Sequence, residues 1–355
     1  LSSGGDVPKE RWSKKMTDVY KVPIYSNGVE NEGLYGYTDI PQIIKPSVTI
    51  TGRGTIGSAF LRKQPFFPII RLISATPKEF LNVSYLFYCI QSIKFKVPKS
   101  GIPQLTIPMV SNIKIPIPPI EVQNKIVHIL DQFTDLTTEL QAELTARKKQ
   151  YEYYRDQLLT EFPNGVEYKK LGEIGKVSMC KRIMKAETSP IGDVPFYKIG
   201  TFGGKANAFI TKEKFEEYRE KYSFPKKGDI LISASGTIGK MVIYNGEPSY
   251  YQDSNIVWID NDESKVLNKW LYYCYKLKPW QVSTGGTISR LYNDNIEKAK
   301  IPIPPIEVQN KIVGILDRFD ALCNDLCIGL PAEINARQKQ YEYYRDQLLA
   351  FKEIG

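Results

Sequence analysis

The chain has 355 residues, of which 42% are hydrophobic, enough for two or three domains that each bury a core. It has no apolar run of about 18 residues and no apolar segment near its start, so neither a membrane span nor a signal peptide is predicted. Its five cysteines include no Cys-x-x-Cys pair, which argues against a disulfide framework or a zinc ribbon and favours the reducing cytoplasm.

Residues 1–114, called module one, are weakly similar to residues 163–300, called module two. "VPIYSNG" matches "VPFYKIG", "GTIG" occurs in both, and "YLFYCI" matches "WLYYCY". The modules are therefore predicted to be divergent copies of one domain. Short β-rich runs between Gly and Pro indicate a compact mixed sheet with a few helices. In module two, strands are predicted at "DILISAS" and "SNIVWID", and helices at "EKFEEYREKY" and "NKWLYYCYKL".

The thirteen residues "IPIPPIEVQNKIV" follow module one at 115–127 and return 186 residues later at 301–313. "KQYEYYRDQLL" at 149–159 likewise returns unchanged at 339–349. Proline is tolerated in the first turn of a helix, where its missing N–H is no loss, so a long helix is predicted to begin near Ile120 and again in the second copy.

An apolar stripe along each helix has the spacing of a coiled-coil seam with one stutter. Two such stripes in one chain, connected through a domain, are most simply buried by antiparallel pairing. The second copy has an extra step of four at "CIGLPAEI", where Gly329 and Pro331 predict a kink or bulge. The predicted stripe positions are Ile126, Ile129, Phe133, Leu136, Leu140, Leu144, Arg147, Tyr151, Tyr154 and Leu158, then Ile312, Ile315, Phe319, Leu322, Leu326, Leu330, Ile334, Arg337, Tyr341, Tyr344 and Leu348.

The net charge of +9 is unevenly distributed. Module one has 15 basic and 7 acidic residues and module two has 22 and 16, whereas residues 115–162 have 5 and 8 and residues 301–355 have 6 and 8. A basic surface can serve solubility alone, but its concentration in two related modules favours binding to a polyanion such as DNA. Because the helices are repeated almost unchanged while the modules differ, the pattern indicates two constant contacts and two different targets, as two DNA half-sites would be.

Glycine-rich segments of the modules are places where the backbone could approach DNA. A tight hairpin turn without any ligand explains the same glycines about equally well. If these segments bind DNA, the predicted contacts are the basic, hydroxyl and aromatic residues in or beside "GRGTIG", "FGGK", "SGTIGK" and "GGTISRLY": Arg53, Thr55, Lys205, Ser235, Thr237, Lys240, Ser289, Arg290 and Tyr292.

Three patterns of catalytic type do not hold. "ASGTIGK" (234–240) nearly matches a phosphate-binding loop, but Met241 stands where a magnesium-binding hydroxyl is required. Asp253 with Glu263-Ser264-Lys265 has the outline of a metal-dependent nuclease, yet module one has no counterpart. His128 is not repeated in the second copy and is interpreted as an exposed helix residue. Neither a catalytic residue nor a metal ligand is predicted, and two cysteines one helical turn apart are interpreted as core thiols: Cys323 and Cys327.

The repeated "YEYYRDQLL" ends each long helix. It is either a plain helix end, with Tyr151 and Tyr154 in the seam, or a docking surface for a partner protein. Aromatic and Arg side chains are common anchors of protein interfaces, which favours docking. The residues predicted to lie off the seam and to contact a partner are Tyr153, Arg155, Tyr343 and Arg345.

The proline-led "IPIPPIEVQNKIV…ILD", the "YxYYRDxLL" ending, the two copies and the two divergent basic modules together resemble the specificity (S) subunit of type I restriction-modification enzymes. The resemblance covers nearly the whole chain. It implies an α+β protein with two mixed α/β target-recognition domains, at 1–114 and 163–300. Two long, antiparallel, coiled-coil-like helices, at 115–162 and 301–355, would separate them in a pseudo-two-fold internal repeat.

The resemblance also implies a function. The S subunit of this family has no catalytic activity, and each target-recognition domain reads one half of a bipartite, asymmetric site in double-stranded DNA. Two methyltransferase (M) subunits bind it and two restriction (R) subunits join for cleavage, so S-adenosylmethionine, ATP and Mg²⁺ are expected on the partners. The chain accordingly has no Asn-Pro-Pro-Tyr methylation motif. The alternative from another class is a nuclease or methyltransferase with its own active site.

Module one departs from the family pattern at its start, because it lacks a counterpart of "GVEYKKLGEI" (165–174). The C-terminal "FKEIG" (351–355) resembles "YKKLGEIG" (168–175), so the end of the chain is expected to supply the missing part in a circular arrangement. A trimmed N-terminus is the simpler alternative. The completeness of module one depends on which of the two holds.

Overall fold

The structure is a computed structural model that describes residues 1–96, 103–282 and 290–352. The chain forms two compact units. Unit one comprises Leu1–Glu143 and Ala332–Gly355, and unit two comprises Leu144–Pro331. Within the described residues, no helix has the length and apolarity that crossing a membrane requires.

Module one contains two four-stranded sheets, followed by two helices and then the first long helix. Its elements are β1 (Ser2–Ser3), β2 (Trp12–Ser13), β3 (Val22–Tyr25), β4 (Leu34–Thr38), β5 (Ser47–Ile50), β6 (Ala59–Arg62), β7 (Phe67–Pro68), β8 (Ile73–Ala75), α1 (Val83–Ser92), α2 (Ile107–Ser111) and α3 (Ile120–Thr160). The strand orders are β1-β8-β5-β6 and β2-β4-β3-β7. Neighbouring strands are antiparallel except β3 and β7, which are parallel.

The core of module one lies between the first sheet and α1. Val48 and Ile50 of β5 are fully buried and share a cluster with Leu86 and Ile90 of α1. Each such side chain contributes about 1.5–3 kcal/mol by leaving water. The helix begins at Asn82, whose side chain accepts hydrogen bonds from the first free N–H groups of α1.

Module two and the second helical segment complete the chain. Their elements are β9 (Tyr168–Lys170), α4 (Leu171–Ile174), β10 (Gly175–Ser178), β11 (Val194–Tyr197), β12 (Phe209–Ile210), α5 (Lys212–Lys221), β13 (Ile230–Ser233), β14 (Met241–Ile243), β15 (Tyr250–Tyr251), β16 (Ile256–Asn261), α6 (Asn268–Lys276), α7 (Asn293–Glu297), β17 (Lys300–Pro302), α8 (Ile306–Asn324) and α9 (Leu330–Leu348). The predicted strands are found as β13 and β16, and the predicted helices as α5 and α6. These predictions are confirmed.

The strand order confirms that the modules are copies of one fold. The sheet β10-β16-β13-β14 has the connectivity of β1-β8-β5-β6, with every neighbour antiparallel in both. In the second sheet, β15 pairs in parallel with β11 as β7 pairs with β3. Two segments with weak sequence similarity therefore keep the topology of their first sheet. In the described residues, the second sheet has four strands in module one and three in module two, which also contains α5.

The long helices begin where the prolines predict, at Ile120 and Ile306. The first is continuous to Thr160, whereas the second is interrupted between Asn324 and Leu330. The interruption confirms the predicted break near Gly329. A β-carbon on this glycine would lie 2.4 Å from the carbonyl oxygen of Ala321, so the chain can pass only because the side chain is absent.

The apolar stripe of α3 differs from the predicted one. Leu130 is fully buried and Thr137 half-buried, whereas Ile129 and Leu136 are exposed. Thr137 fits because its hydroxyl donates to the carbonyl oxygen of Phe133, 2.8 Å away, so the polar group is satisfied within the helix. With Leu130 and Thr137 the steps are an uninterrupted heptad without the predicted stutter: Ile126, Leu130, Phe133, Thr137, Leu140, Leu144, Arg147 and Tyr151.

The second copy shows the same shift. Leu316 and Cys323 are fully buried, whereas Leu322 and Leu326 are 39% and 78% exposed. Cys323 is a core thiol as predicted, but Cys327 lies in the interruption and is exposed, so that prediction was wrong. The turn of Asp325, whose carboxylate accepts the main-chain N–H of Cys327, removes this residue from the helical repeat.

Each unit combines parts of the chain that are far apart in the sequence. Unit one joins module one to the first part of α3 and to α9, and unit two joins the last part of α3 to module two and α8. The helix α9 thus belongs to the unit that holds module one, and the expected circular arrangement stays a prediction. Residues 353–355 of "FKEIG" lie outside the described part of the chain.

A fully buried glutamine connects each module to its long helix. The Gln123 side chain accepts a hydrogen bond from the Asn82 N–H at 2.9 Å and donates to the carbonyls of Phe80 and Pro118 at 3.0 and 2.8 Å. Gln309 repeats this with the Leu267 N–H and the carbonyls of Lys265 and Pro304. Within the repeated "IPIPPIEVQNKIV", the glutamine therefore has a specific task.

In unit one, α9 runs antiparallel to α3. The Phe133 and Tyr344 rings stack at 5.5 Å, and Leu348 lies in the cluster of Ile126 and Leu130. The Tyr341 hydroxyl donates to the side-chain oxygen of Gln91 at 2.9 Å. The repeated helix end is thereby anchored on α1 as well as on α3.

In unit two, the end of α3 packs on α8 in the same antiparallel manner. Tyr154 lies 6.4 Å from Phe319, and Leu159 shares a cluster with Ile312. Lys276 occupies the place of Gln91, and its ammonium group donates to Tyr151 at 3.0 Å and to Asp320 at 2.8 Å. An identical helix end therefore meets a neutral partner in unit one and an ion pair in unit two.

Replacing Gln309 with Leu should destabilise the chain by about 3 kcal/mol or more, because one N–H and two carbonyl groups lose their partners in a buried site. Gln123→Leu should act equally on unit one. Gln338→Leu, on an exposed face of α9, is the control and should change stability by less than about 0.5 kcal/mol. Urea unfolding of the purified chains measures all three. Equal midpoints for Gln309→Leu and Gln338→Leu would contradict this role.

Candidate nucleic-acid interface

The glycine loop of module two is a hairpin between β13 and β14. The Ser233 hydroxyl donates to the carbonyl of Thr237 and accepts the N–H of Lys240 at 2.8 Å, which closes the loop. Gly236 and Gly239 have φ of 64° and 77°, a region that favours glycine. The closed hairpin leaves Thr237 exposed at its tip.

Module one builds the same loop from other residues. The Thr51 hydroxyl donates to the Thr55 carbonyl and accepts the N–H of Ser58 at 3.0 Å, and Thr55 is exposed at the tip. Arg53 is only half-buried, and its guanidinium donates to Gln104 at 3.2 Å. In both modules the glycine loop is therefore a tight turn, and its tip is exposed.

Lys240 and Lys205 differ in their surroundings. Both lysines are exposed, but the Lys240 ammonium donates to the carbonyl of Phe202 and so supports the loop that contains Gly203. A strand, β14, follows the glycine loop where a phosphate-binding loop requires a helix. Of the two lysines, Lys205 is the freer to reach a phosphate group.

Arg290 and Tyr292 border a cleft of about 680 Å³. The Arg290 guanidinium donates to the carbonyl oxygen of Ser254 at 2.9 Å and lies 5.8 Å from the centre of the Tyr292 ring, which is 55% exposed. Ser289, also predicted to contact DNA, lies outside the described residues.

The turn from β15 to β16, residues 252–255, was not predicted from the sequence. Its four residues hold four segments in place. Gln252 accepts the N–H of Ile199 at 2.9 Å, Asp253 accepts from Arg182 at 2.8 Å, the Ser254 carbonyl accepts from Arg290, and Asn255 accepts from Ser235 at 2.9 Å. The β15–β16 turn thus brings together two of the segments predicted to contact DNA, those of Ser235 and Arg290.

Arg182 lies beside a second cleft, of about 340 Å³, that Lys185 and Lys198 also line. The Arg182 side chain is 64% exposed, while that of Asp253 is 18% exposed. Nothing in "KRIMK" distinguishes Arg182 from its neighbours, because its position depends on a carboxylate 71 residues away. Sequence patterns carry no signal for such a pair.

The two carboxylates of the nuclease pattern serve other contacts. Asp253 is paired with Arg182, and Glu263 accepts the N–H of Asn268 at 3.0 Å. In the described ranges, no group of three His, Cys, Asp or Glu could hold a metal ion. His128 is exposed on α3, as predicted.

The predicted docking residues have the same geometry in both copies. Tyr153 and Tyr343 are 63% and 62% exposed, off the seam as predicted. The arginines are less exposed than their position suggests: the side chains of Arg155 and Arg345 are each 17% exposed and lie 5.8 and 5.7 Å from the ring centres of Tyr151 and Tyr341. The exposed part of this surface is aromatic.

Comparison with known proteins identifies the family. The family described as type I restriction modification DNA specificity domain matches residues 3–147 and 163–336. The chain belongs to this family. A Haemophilus influenzae protein named as a type I restriction enzyme specificity subunit is 54% identical over 286 residues, 77% of this chain and 74% of that protein. A type I restriction enzyme specificity subunit of Escherichia coli is 31% identical over 368 residues, 96% and 89% of the two chains.

The fold agrees with solved structures of such subunits. The crystal structure of a type I S subunit from M. genitalium aligns over 99% of this chain and 94% of that one, with a TM-score of 0.56 at 16% identity. As a DNA specificity subunit, the chain is not an enzyme: in this family methylation and cleavage reside in M and R subunits. The alternative of a nuclease or methyltransferase finds no support.

Lys205→Ala should weaken binding of the assembled complex to all DNA sequences about equally and reduce the slope of log K against log salt by about one, if the lysine contacts a phosphate. Lys221→Ala removes another exposed lysine of module two, one paired with Glu217, and is the matched control. Fluorescence titrations at several salt concentrations measure both. An unchanged slope, or a loss restricted to one sequence, would contradict a phosphate contact.

Proposed function

We propose that the protein reads a bipartite, asymmetric DNA site, with one module on each half-site and an unread spacer between. One observation carries the proposal: two modules that share the topology of their first sheet present different side chains around similar glycine loops, while the helices that hold them are repeated. Equal modules on a repeated scaffold would read a palindrome, whereas these would read two unlike half-sites.

We assign target recognition to residues 1–114 and 163–300, and the helical segments to residues 115–162 and 301–355. The exposed residues predicted to contact DNA are the direct candidates, namely Thr55, Lys205, Thr237, Lys240 and Tyr292. Arg53, Ser235, Lys240 and Arg290 are bonded to the protein and would also position the loops. Ser289 stays a candidate on sequence grounds.

Two M subunits and two R subunits complete the proposed assembly. The support for this stoichiometry is the exact repeat of the helix end, which presents Tyr153 with Arg155 in one unit and Tyr343 with Arg345 in the other. Two identical surfaces bind two copies of one partner. S-adenosylmethionine, ATP and Mg²⁺ would be held by the partners, and the five free thiols are consistent with the cytoplasm.

The proposal is tested by co-expressing the chain with its cognate M subunit and mapping methylated adenines on genomic DNA. A two-part sequence with a fixed gap is expected, and the purified chain alone should neither methylate nor cleave DNA. A continuous or palindromic methylated sequence would refute the proposal, as would cleavage by the pure chain.

The length of the helices should set the spacer between the half-sites. The observed stripe is an uninterrupted heptad, so inserting seven residues, a second copy of "TELQAEL" (138–144), keeps the stripe on one face. Inserted after Leu144 and after Ile334, it adds about 10 Å at 1.5 Å per residue, roughly three base pairs at 3.4 Å each. Methylation mapping should show both half-sites unchanged and the spacer about three pairs longer.

Inserting the seven residues after Leu144 alone is the control. It lengthens one helix only, so the paired stripes no longer match, and assembly or methylation should be lost. If the double insertion methylates with the original spacer, or with altered half-site sequences, the helices do not set the spacing.

A further inference from the structure

The turn from β7 to β8 in module one has an unfavourable backbone. Ile70 and Arg71 have φ of 54° and 58°, the left-handed region that non-glycine residues rarely adopt. Isoleucine is branched at its β-carbon, which makes the conformation still less favourable for Ile70. Such residues cost on the order of 1–3 kcal/mol each and persist where the surroundings impose them.

The surroundings of this turn hold it firmly. The N–H groups of Ile70 and Arg71 donate to the carbonyls of Gly5 and Gly4 at 2.7 and 2.9 Å. A β-carbon on Gly4 would lie 2.6 Å from the main chain of Pro68, so this close approach requires glycine. The turn is therefore built to keep its conformation.

The turn also adjoins the glycine loop of module one. Asn27 donates to the carbonyl of Ile70 and accepts the N–H of Gly52 at 2.7 Å, so one side chain connects the two segments. Ile70 is 47% exposed and Arg71 is exposed, so both side chains face solvent on the loop side of the module. A turn that only joined two strands would be less strained with Gly or Asn at these positions.

Module two has its β15–β16 turn at the same place in the fold. The N–H of Ile69 donates to Tyr25 as that of Gln252 does to Tyr197, both at 2.9 Å. After these residues, Ile70 and Arg71 in one module correspond to Asp253, Ser254 and Asn255 in the other. Ser254 also has a positive φ, 52°. The same position therefore carries a constrained turn in both copies, with unlike side chains.

We propose that this turn determines base specificity in each module: Ile70 and Arg71 contact base edges of one half-site, and Arg182, oriented by Asp253, contacts a guanine of the other. The inference rests on the proposed reading of two half-sites. An isoleucine suits the methyl group of thymine, and arginine is the usual partner of guanine O6 and N7. Asp253 accepts from Nε of Arg182, which leaves the two terminal nitrogens to bind one base in a bidentate manner.

The test begins from the wild-type complex with its M subunit, whose methylated sequence is mapped first. Duplexes that carry each single base-pair substitution of that sequence are then methylated by variants. Ile70→Gly with Arg71→Gly removes both side chains and relieves the backbone strain, so its melting temperature should be unchanged or higher. Discrimination should fall roughly 5- to 150-fold at one or two positions of one half-site, with the other half-site unaffected.

Arg182→Ala should give the reciprocal result, with loss at one position of the second half-site only. Asp253→Asn keeps the size of the side chain but removes its charge, and should relax the same position less. Val19→Ala, another exposed apolar residue of module one, is the control and should leave every position unchanged.

Full discrimination at all positions in both the Ile70/Arg71 and the Arg182 variants would overturn the inference. So would a uniform loss across both half-sites, which indicates phosphate contacts or damage to the fold. If the wild-type complex methylates no two-part sequence, the proposed function itself has failed, and the result is visible before any variant is made.

Discussion

Two buried glutamines hold this protein together at the joints between modules and helices. Gln123 and Gln309 each satisfy one N–H and two carbonyl groups of the main chain, in a site without solvent. An unpaired polar group in such a place costs more than the bond itself contributes, so the residue and its surroundings constrain each other. The loops proposed to contact DNA are positioned by modules that depend on this contact.

Because the glutamines bind only main-chain atoms of the modules, the joint is insensitive to the side chains on the module surface. The segments it holds read "KEFLN" (78–82) in one module and "ESKVL" (263–267) in the other, yet their backbone contacts are alike. A module can therefore change its loops freely while its place on the helix is kept. Because the joint uses main-chain atoms and the variable side chains lie elsewhere, one repeated scaffold can carry two modules with different loops.

The sequence predicted those structural features that depend on residues close together in the chain. The start of α3 follows from prolines, the break near Gly329 from glycine and proline, and the duplication from repeated letters. Side-chain placement was less accessible: the stripe runs through Thr137, which the pattern of apolar residues passed over, because a helix can satisfy a threonine hydroxyl internally. The β15–β16 turn could not be found at all, since Arg182 and Asp253 are 71 residues apart and meet only in the folded module. Contacts over such separations leave no periodic pattern.

The repeated helix end has different partners in the two units, so its stability should depend on pH differently in each unit. Burial would by itself raise the pKa of Asp320, but the hydrogen bond and the positive charge of Lys276, together with hydrogen bonds from Tyr151 and Asn324, outweigh it and hold the pKa below its ordinary value of 3.8. The stabilisation from this pair is thus complete above pH 3.8 and is lost as the pH falls through the lowered value. Unit one has Gln91 and Thr134 at the corresponding positions, which do not titrate. The two helix ends, although identical in sequence, should therefore be destabilised at different pH values. The two copies share their fold more closely than they share the charges around the helix end.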